Sequence, residues 1–184
     1  MLADPYQICL ITVDGTDFII QEPDPFDPSY YSHKFEHAGL RYEIGICIKT
    51  GWIVWINGPF PCGAWPDLRI ARSALHYMLF AGEKYIADGG YQEPNGWNIT
   101  PSGLHDFEDR QRATARARHE TINGVFKVYR ALRDMWRHDR EKHSPMFHSI
   151  ANIVQLGLRE GNHAFAVDYD EAEFGDFDFG YDDI

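Results

Sequence analysis

The apolar residues of this chain alternate between the twofold rhythm of strands and the 3.6-residue rhythm of helices, and each change of rhythm marks an element. Residues 7–13 (Gln-Ile-Cys-Leu-Ile-Thr-Val) are short, apolar and β-branched, which predicts a buried strand. Pro23, Pro25 and Pro28 break the stretch 23–32 into a loop. Residues 41–49 and 52–57 then alternate around Thr50-Gly51 as a hairpin, followed by a Pro/Gly loop over 58–66. From Asp67 to Phe80 the positions Leu68, Ile70, Ala71, Ala74, Leu75, Met78 and Leu79 recur at helical spacing. A strand follows at 83–87, closed by Asp88-Gly89-Gly90, and Trp97–Thr100 reads as a last short one. The pattern predicts a long helix over 106–137 and a second over 145–159, started by Ser144-Pro145. This order predicts an α/β fold, a mixed sheet flanked by helices.

Bulk properties narrow the class. A chain of 184 residues that is 44% apolar suits one domain with its own core, expected over 1–167. No run of about 18 apolar residues predicts a membrane span, and the first residues lack the basic-then-apolar order of a secretory signal, so the chain is not expected to be secreted. Cys9, Cys47 and Cys62 are odd in number and far apart, which fits core packing in a reducing compartment better than a disulfide framework.

The net charge of −11 is unevenly placed: residues 168–184 carry eight acids and no Lys or Arg. That segment is expected to be a disordered acidic tail. Without it the balance is 20 acids against 17 bases, and residues 110–142 hold ten bases against four acids. A local basic stripe can bind phosphates whatever the total charge; the plainer interpretation is a solvated, ion-paired helix face.

Three acids stand in three different settings. Asp14 ends the apolar run of Ile-Thr-Val-Asp-Gly-Thr, Asp88 ends that of Tyr-Ile-Ala-Asp-Gly-Gly, and Glu120 lies within the long basic helix. Carboxylates delivered by separate elements to one point are what a divalent-metal, phosphodiester-cutting site needs; two ions can polarise the attacking water and the leaving oxygen together. Hard oxygen ligands suit Mg²⁺ or Mn²⁺. Arg116, Glu120 and Lys127 sit at i, i+4 and i+11. At about 100° per residue all three share one face. Such a stripe suits a phosphate backbone, with the acid for metal and the bases for phosphate. The same spacing also suits an exposed Arg–Glu pair worth a few tenths of a kcal/mol.

Read in order, these pieces resemble the catalytic domain of DDE transposases of the insertion-sequence and PIF/Harbinger-like group. Val13-Asp14-Gly15-Thr16 looks like the first-acid strand, Ile86-Ala87-Asp88-Gly89-Gly90-Tyr91 like the second, and Arg116–Glu120–Lys127 like the Arg-x₃-Glu-x₆-Lys signature of the third. Tyr31–Phe35, Gly58–Asp67, His143, Phe147, Gln155 and Gly161–Tyr169 are similar to the intervening and closing segments, so the likeness spans roughly 8–169. It implies an RNase H-like fold and a DNA endonuclease and strand-transfer activity using two Mg²⁺ or Mn²⁺ ions. Asp14 would bind both ions, Asp88 one and Glu120 the other, with Arg116 and Lys127 on the DNA backbone. Ala113 departs from the group, where a Tyr is common. The group's N-terminal helix-turn-helix has no counterpart before Asp14, which leaves three expectations open: a fragment, a truncated gene model, or a catalytic domain relying on a separate DNA-binding protein or helix-turn-helix domain. The likeness also allows a homodimer, and places the chain in the nucleus of a eukaryote or the cytoplasm of a prokaryote. The rival from another class is a non-catalytic remnant that binds DNA or a protein through the same basic helix.

Other features are weaker. A phosphatase of the haloacid-dehalogenase type would need an Asp nucleophile where Thr12 stands. Asp17, past the predicted strand end, is expected to face solvent or cap a turn. His138, His143 and His148 are spaced too widely for a usual zinc site, which predicts one packed and two exposed histidines. His119 is a neighbour of Glu120 some 100° away round the helix.

Overall fold

A computed structural model describes residues 8–94, 96–104, 106–162 and 164–167. The acidic tail expected over 168–184 lies outside these residues. The chain forms a six-stranded mixed sheet with helices on both faces. Strands β1 (Ile8–Ile19), β3 (His37–Cys47) and β4 (Ile53–Pro61) make an antiparallel meander. Strand β5 (Glu83–Ile86) and the short β6 (Asn98–Ile99) add parallel to the other side of β1. The order across the sheet is thus β4-β3-β1-β5-β6, with the two-residue β2 (Tyr31–Ser32) on the start of β3.

Period-two alternation along β1 divides the molecule into two layers. Phe18 and Ile20 point to the face covered by α3 (Phe107–Phe126) and α5 (His143–Arg159), where they join Tyr42, Ile44, Ile122, Phe126, Phe147 and Val154 in the main core. Val13 points to the other face, against Ala71 and Leu75 of the short helices α1 (Asp67–Ser73) and α2 (Leu75–Met78). The hairpin, both parallel strands and the final helix follow the hydrophobic pattern. Cys9 and Cys62 are buried and Cys47 is half-buried, as core packing predicts, and none of the three is in a disulfide. Among the described residues no helix is long and apolar enough to cross a membrane.

Four boundaries differ from the sequence pattern, each for a tertiary reason. Strand β1 continues through Asp14-Gly15 to Ile19, because β3 pairs with it from Ile11 to Ile19 and satisfies its backbone groups; Asp14 is therefore mid-strand. The helix expected over 67–80 divides at Ala74 and ends at Met78. The helix expected over 106–137 ends at Phe126 with Lys127 as its cap. A four-residue α4 (Arg130–Arg133) follows, and the chain then turns to pair Trp136 with the end of β1, through Trp136 N to Ile19 O (3.0 Å) and Gln21 N to Trp136 O (2.8 Å). The loop expected at 58–66 begins as strand, since β4 stays paired with β3 as far as Pro61.

Candidate active site

Register places two of the three acids side by side. Thr12 of β1 pairs in parallel with Ile86 of β5, so Asp14, mid-strand on β1, and Asp88, just past the end of β5, come level with the same facing. Helix α3 crosses above them. His119 contacts the Thr12 hydroxyl through Nδ1 at 2.7 Å, and Asn123 Nδ2 donates to Asp14 Oδ2 at 2.8 Å. One turn earlier on the helix, Arg116 and Glu120 reach the same crevice, which Thr12, Val13, Asp14, Asp88 and His119 also line. Its enclosed part is small, about 10 Å³, room for one water.

The crevice is electrostatically loaded. Burial pushes the Asp14 carboxyl up to about 6, and the neighbouring Asp88 and Asp67 carboxylates push the same way; the Gly15 N–H and the more distant Lys34 oppose them. Asp88 is anchored through its own turn, with Oδ1 accepting from Gly90 N at 2.8 Å. Glu120 is less engaged: it is 64% exposed, and its Oε1 stands 3.7 Å from Arg116 Nη2. An exposed i,i+4 pair of this length holds neither side chain firmly. Among the described residues no three His, Cys, Asp or Glu side chains are spaced to share one metal ion.

Asp67, which no local pattern singles out, is a fourth carboxylate beside the first two. It starts α1 on the opposite face of β1, and its carboxyl is raised first by burial and then by Asp88. Glycines make room for it: a Cβ on Gly90 would stand 3.0 Å from both Asp67 Oδ2 and Asp88 Oδ1. Arg41 restrains it through Nη1 at 3.1 Å from Oδ1, in contact but without hydrogen-bond alignment. The same guanidinium holds Asp17 through Nε (2.6 Å) and Nη2 (3.0 Å), and Ser32 Oγ donates to Asp17 as well. Asp17 is thus buried in a tight ion pair, not solvent-facing as its position after an apolar run suggested. The cause is the continuation of β1, which turns residue 17 onto the α1 face.

The basic stripe is dispersed by the fold. Arg118 is buried, its guanidinium donating to the Cys47 and Ile48 carbonyls. Arg112 pairs with Glu108, and Arg130 and Arg133 share Asp134 on α4. Lys127 keeps its place near the acids: half-buried, its ammonium is pushed down by burial and by Lys34, against Asp17 and Asp14. Arg116, Glu120 and Lys127 do lie along one side of α3, and Asn123 belongs to the same stripe. Its spacing of seven from Arg116, about 20° short of two turns, is the signal that could have found it.

The histidine cluster dissolves as its spacing predicts: His143 is buried against the Tyr42 hydroxyl, at 2.8 Å from Nδ1, while His138 and His148 are exposed. His119 is wholly buried, and burial pushes its imidazole down to about 3, so it is a neutral wall of the crevice. Comparison with protein-family models, with curated proteins and with solved structures returns no match.

Proposed function

We propose that this chain is an RNase H-like, divalent-metal-dependent DNA endonuclease domain of the DDE transposase type, the class its sequence resembles. One observation carries the reading: the parallel register of β1 and β5 sets Asp14 beside Asp88 under α3, whose Glu120 and Arg116 line the same crevice. A three-stranded antiparallel meander extended by two parallel strands on β1 is also the order an RNase H-like sheet would have.

Asp14 and Asp88 offer hard oxygen donors, the type that Mg²⁺ or Mn²⁺ takes. Asp14 is pushed up to about 6 by burial and by neighbouring anions, a cost that a bound cation would relieve. Asp14 and Asp88 would hold Mg²⁺ or Mn²⁺, and Glu120, free at the rim, would complete the set by turning inward. Such ions neutralise the carboxylates and polarise the attacking water and leaving oxygen. Arg116 and Lys127 flank the acids along α3 and would hold DNA phosphates without choosing sequence. Neutral His119 walls the crevice beside Asp14.

The test is nicking of supercoiled DNA with Mg²⁺ or Mn²⁺, against chelator. Wild type is expected to nick only with metal, and activity that survives Asp88→Asn refutes the assignment. Glu120's exposure favours one alternative, a non-catalytic remnant that binds DNA or protein. That form would bind DNA with steep salt dependence, and would show neither cleavage nor stabilisation by Mn²⁺.

A further inference from the structure

Asn123 occupies a position where an amide has a poor claim on grounds of folding. It lies on the inner side of α3 beside Ile122 and one turn before Phe126, and only 7% of it is exposed. Burying a primary amide is unfavourable unless its hydrogen bonds are replaced. Here one is: Nδ2 donates to Asp14 Oδ2 at 2.8 Å, while Oδ1 is buried without a hydrogen-bond partner among the described residues. The carboxylate dictates this orientation, since it can only accept and the amide oxygen cannot donate.

The contact fixes one oxygen of one carboxylate. Asp14 stands on a rigid central strand, paired on one side with β3 and next to β5 on the other, so its backbone cannot shift to suit a ligand. Its remaining freedom is rotation of the carboxylate, and a hydrogen bond from α3 to Oδ2 removes that freedom. Asn123 lies three residues after Glu120 on the same stripe, so one helix carries both the third acid and the group that orients the first.

We propose that Asn123 is a positioning residue for Asp14, holding Oδ2 against α3 and leaving the other carboxylate oxygen to the divalent cation. This rests on the nuclease reading. Asn123 touches neither substrate nor metal; it acts through Asp14, as groups hydrogen-bonded to metal ligands do.

The test is a Mn²⁺ titration of the intact chain, read by thermal stabilisation, together with nicking kinetics on supercoiled DNA. Asn123→Leu keeps the branched shape, with somewhat more volume, and removes the hydrogen bond. Its half-saturating Mn²⁺ is expected to rise roughly tenfold or more, the range for loss of a ligand's outer partner. The maximal nicking rate falls with it while KM for DNA stays within about twofold, a split that a merely structural role would not produce. Asn123→Ala should show the same loss, and serves if leucine disturbs α3. Asn123 variants with unchanged Mn²⁺ half-saturation and nicking rate would overturn this inference alone. A wild type that neither takes up Mn²⁺ nor nicks DNA overturns the nuclease reading and this inference together.

Discussion

The carboxylate of Asp67 fills the space that a side chain at position 15 would need: a Cβ built on Gly15 would lie 2.2 Å from Asp67 Oδ1. The two residues are far apart in the chain, on a central strand and at the start of a helix, yet each sets the terms for the other. Gly15→Ala must displace Asp67 and with it the Arg41 contact, at a cost of about 1–3 kcal/mol by analogy with overpacked cores. Urea unfolding measures it. The double variant with Asp67→Ala should lose less than the two single losses combined, because the second change removes the clash.

Arg41 joins buried Asp17 and half-buried Asp67 into one charge group. Burial alone would raise the Asp17 carboxyl, but the hydrogen bonds and charge of Arg41 and the Ser32 hydroxyl hold it below the usual range. Arg41→Met would leave Asp17, 2% exposed, as an unpaired buried anion. A loss of about 3–5 kcal/mol is expected, and Arg41→Met with Asp17→Leu should recover much of it. Because the folded value is depressed, the Asp17 contribution is present above about pH 4 and lost on further acidification.

The pH dependence of stability has two opposed parts. Asp14 and Glu43 are raised by burial to about 6 and about 7, so the folded state keeps protons the unfolded chain releases, and their contribution falls as pH rises through that range. His119 and His143 are pushed down by burial to about 3 and about 4, so theirs falls as pH drops below the unfolded value of 6.5. Asp14→Asn isolates the first part. It should be more stable than wild type by about 1–2 kcal/mol at pH 8, with the gain fading toward pH 4. Denaturation at several pH values, without divalent metal, checks this.

Cations on one helix should differ in their effect on DNA. Lys127→Gln is expected to weaken binding to all sequences alike and to reduce the slope of log K against log salt by about one. Arg118→Leu should leave that slope unchanged, because the guanidinium is committed to the Cys47 and Ile48 carbonyls. It should instead cost about 1–3 kcal/mol of stability through the Ile48 carbonyl left unpaired, since the Cys47 carbonyl still accepts from Gly51 N. Binding titrations at several salt concentrations distinguish the two.

The sequence by itself determined the kind and order of the main strands and helices, though not all their bounds, because hydrophobic period and turn chemistry are local. The hairpin at Thr50-Gly51, the short parallel strands, the α5 helix and the one-packed, two-exposed histidine pattern were legible in this way. The place of Asp88 just after a strand and the shared helical spacing of Arg116, Glu120 and Lys127 were legible too, being local, whereas Asp14 read as a strand end and stands mid-strand. Only the tertiary structure decided the length of β1, because pairing with β3 carries the strand through Asp14-Gly15, which reads locally as a stop. It also decided that Asp17 and Arg118 are buried and that Asn123 holds Asp14. Asp67 belongs beside the acids for a reason no local pattern contains: two glycines distant in sequence leave a gap, and a carboxylate from another element fills it. Contacts between remote residues depend on how layers pack and strands register, so they emerge only when the chain is folded.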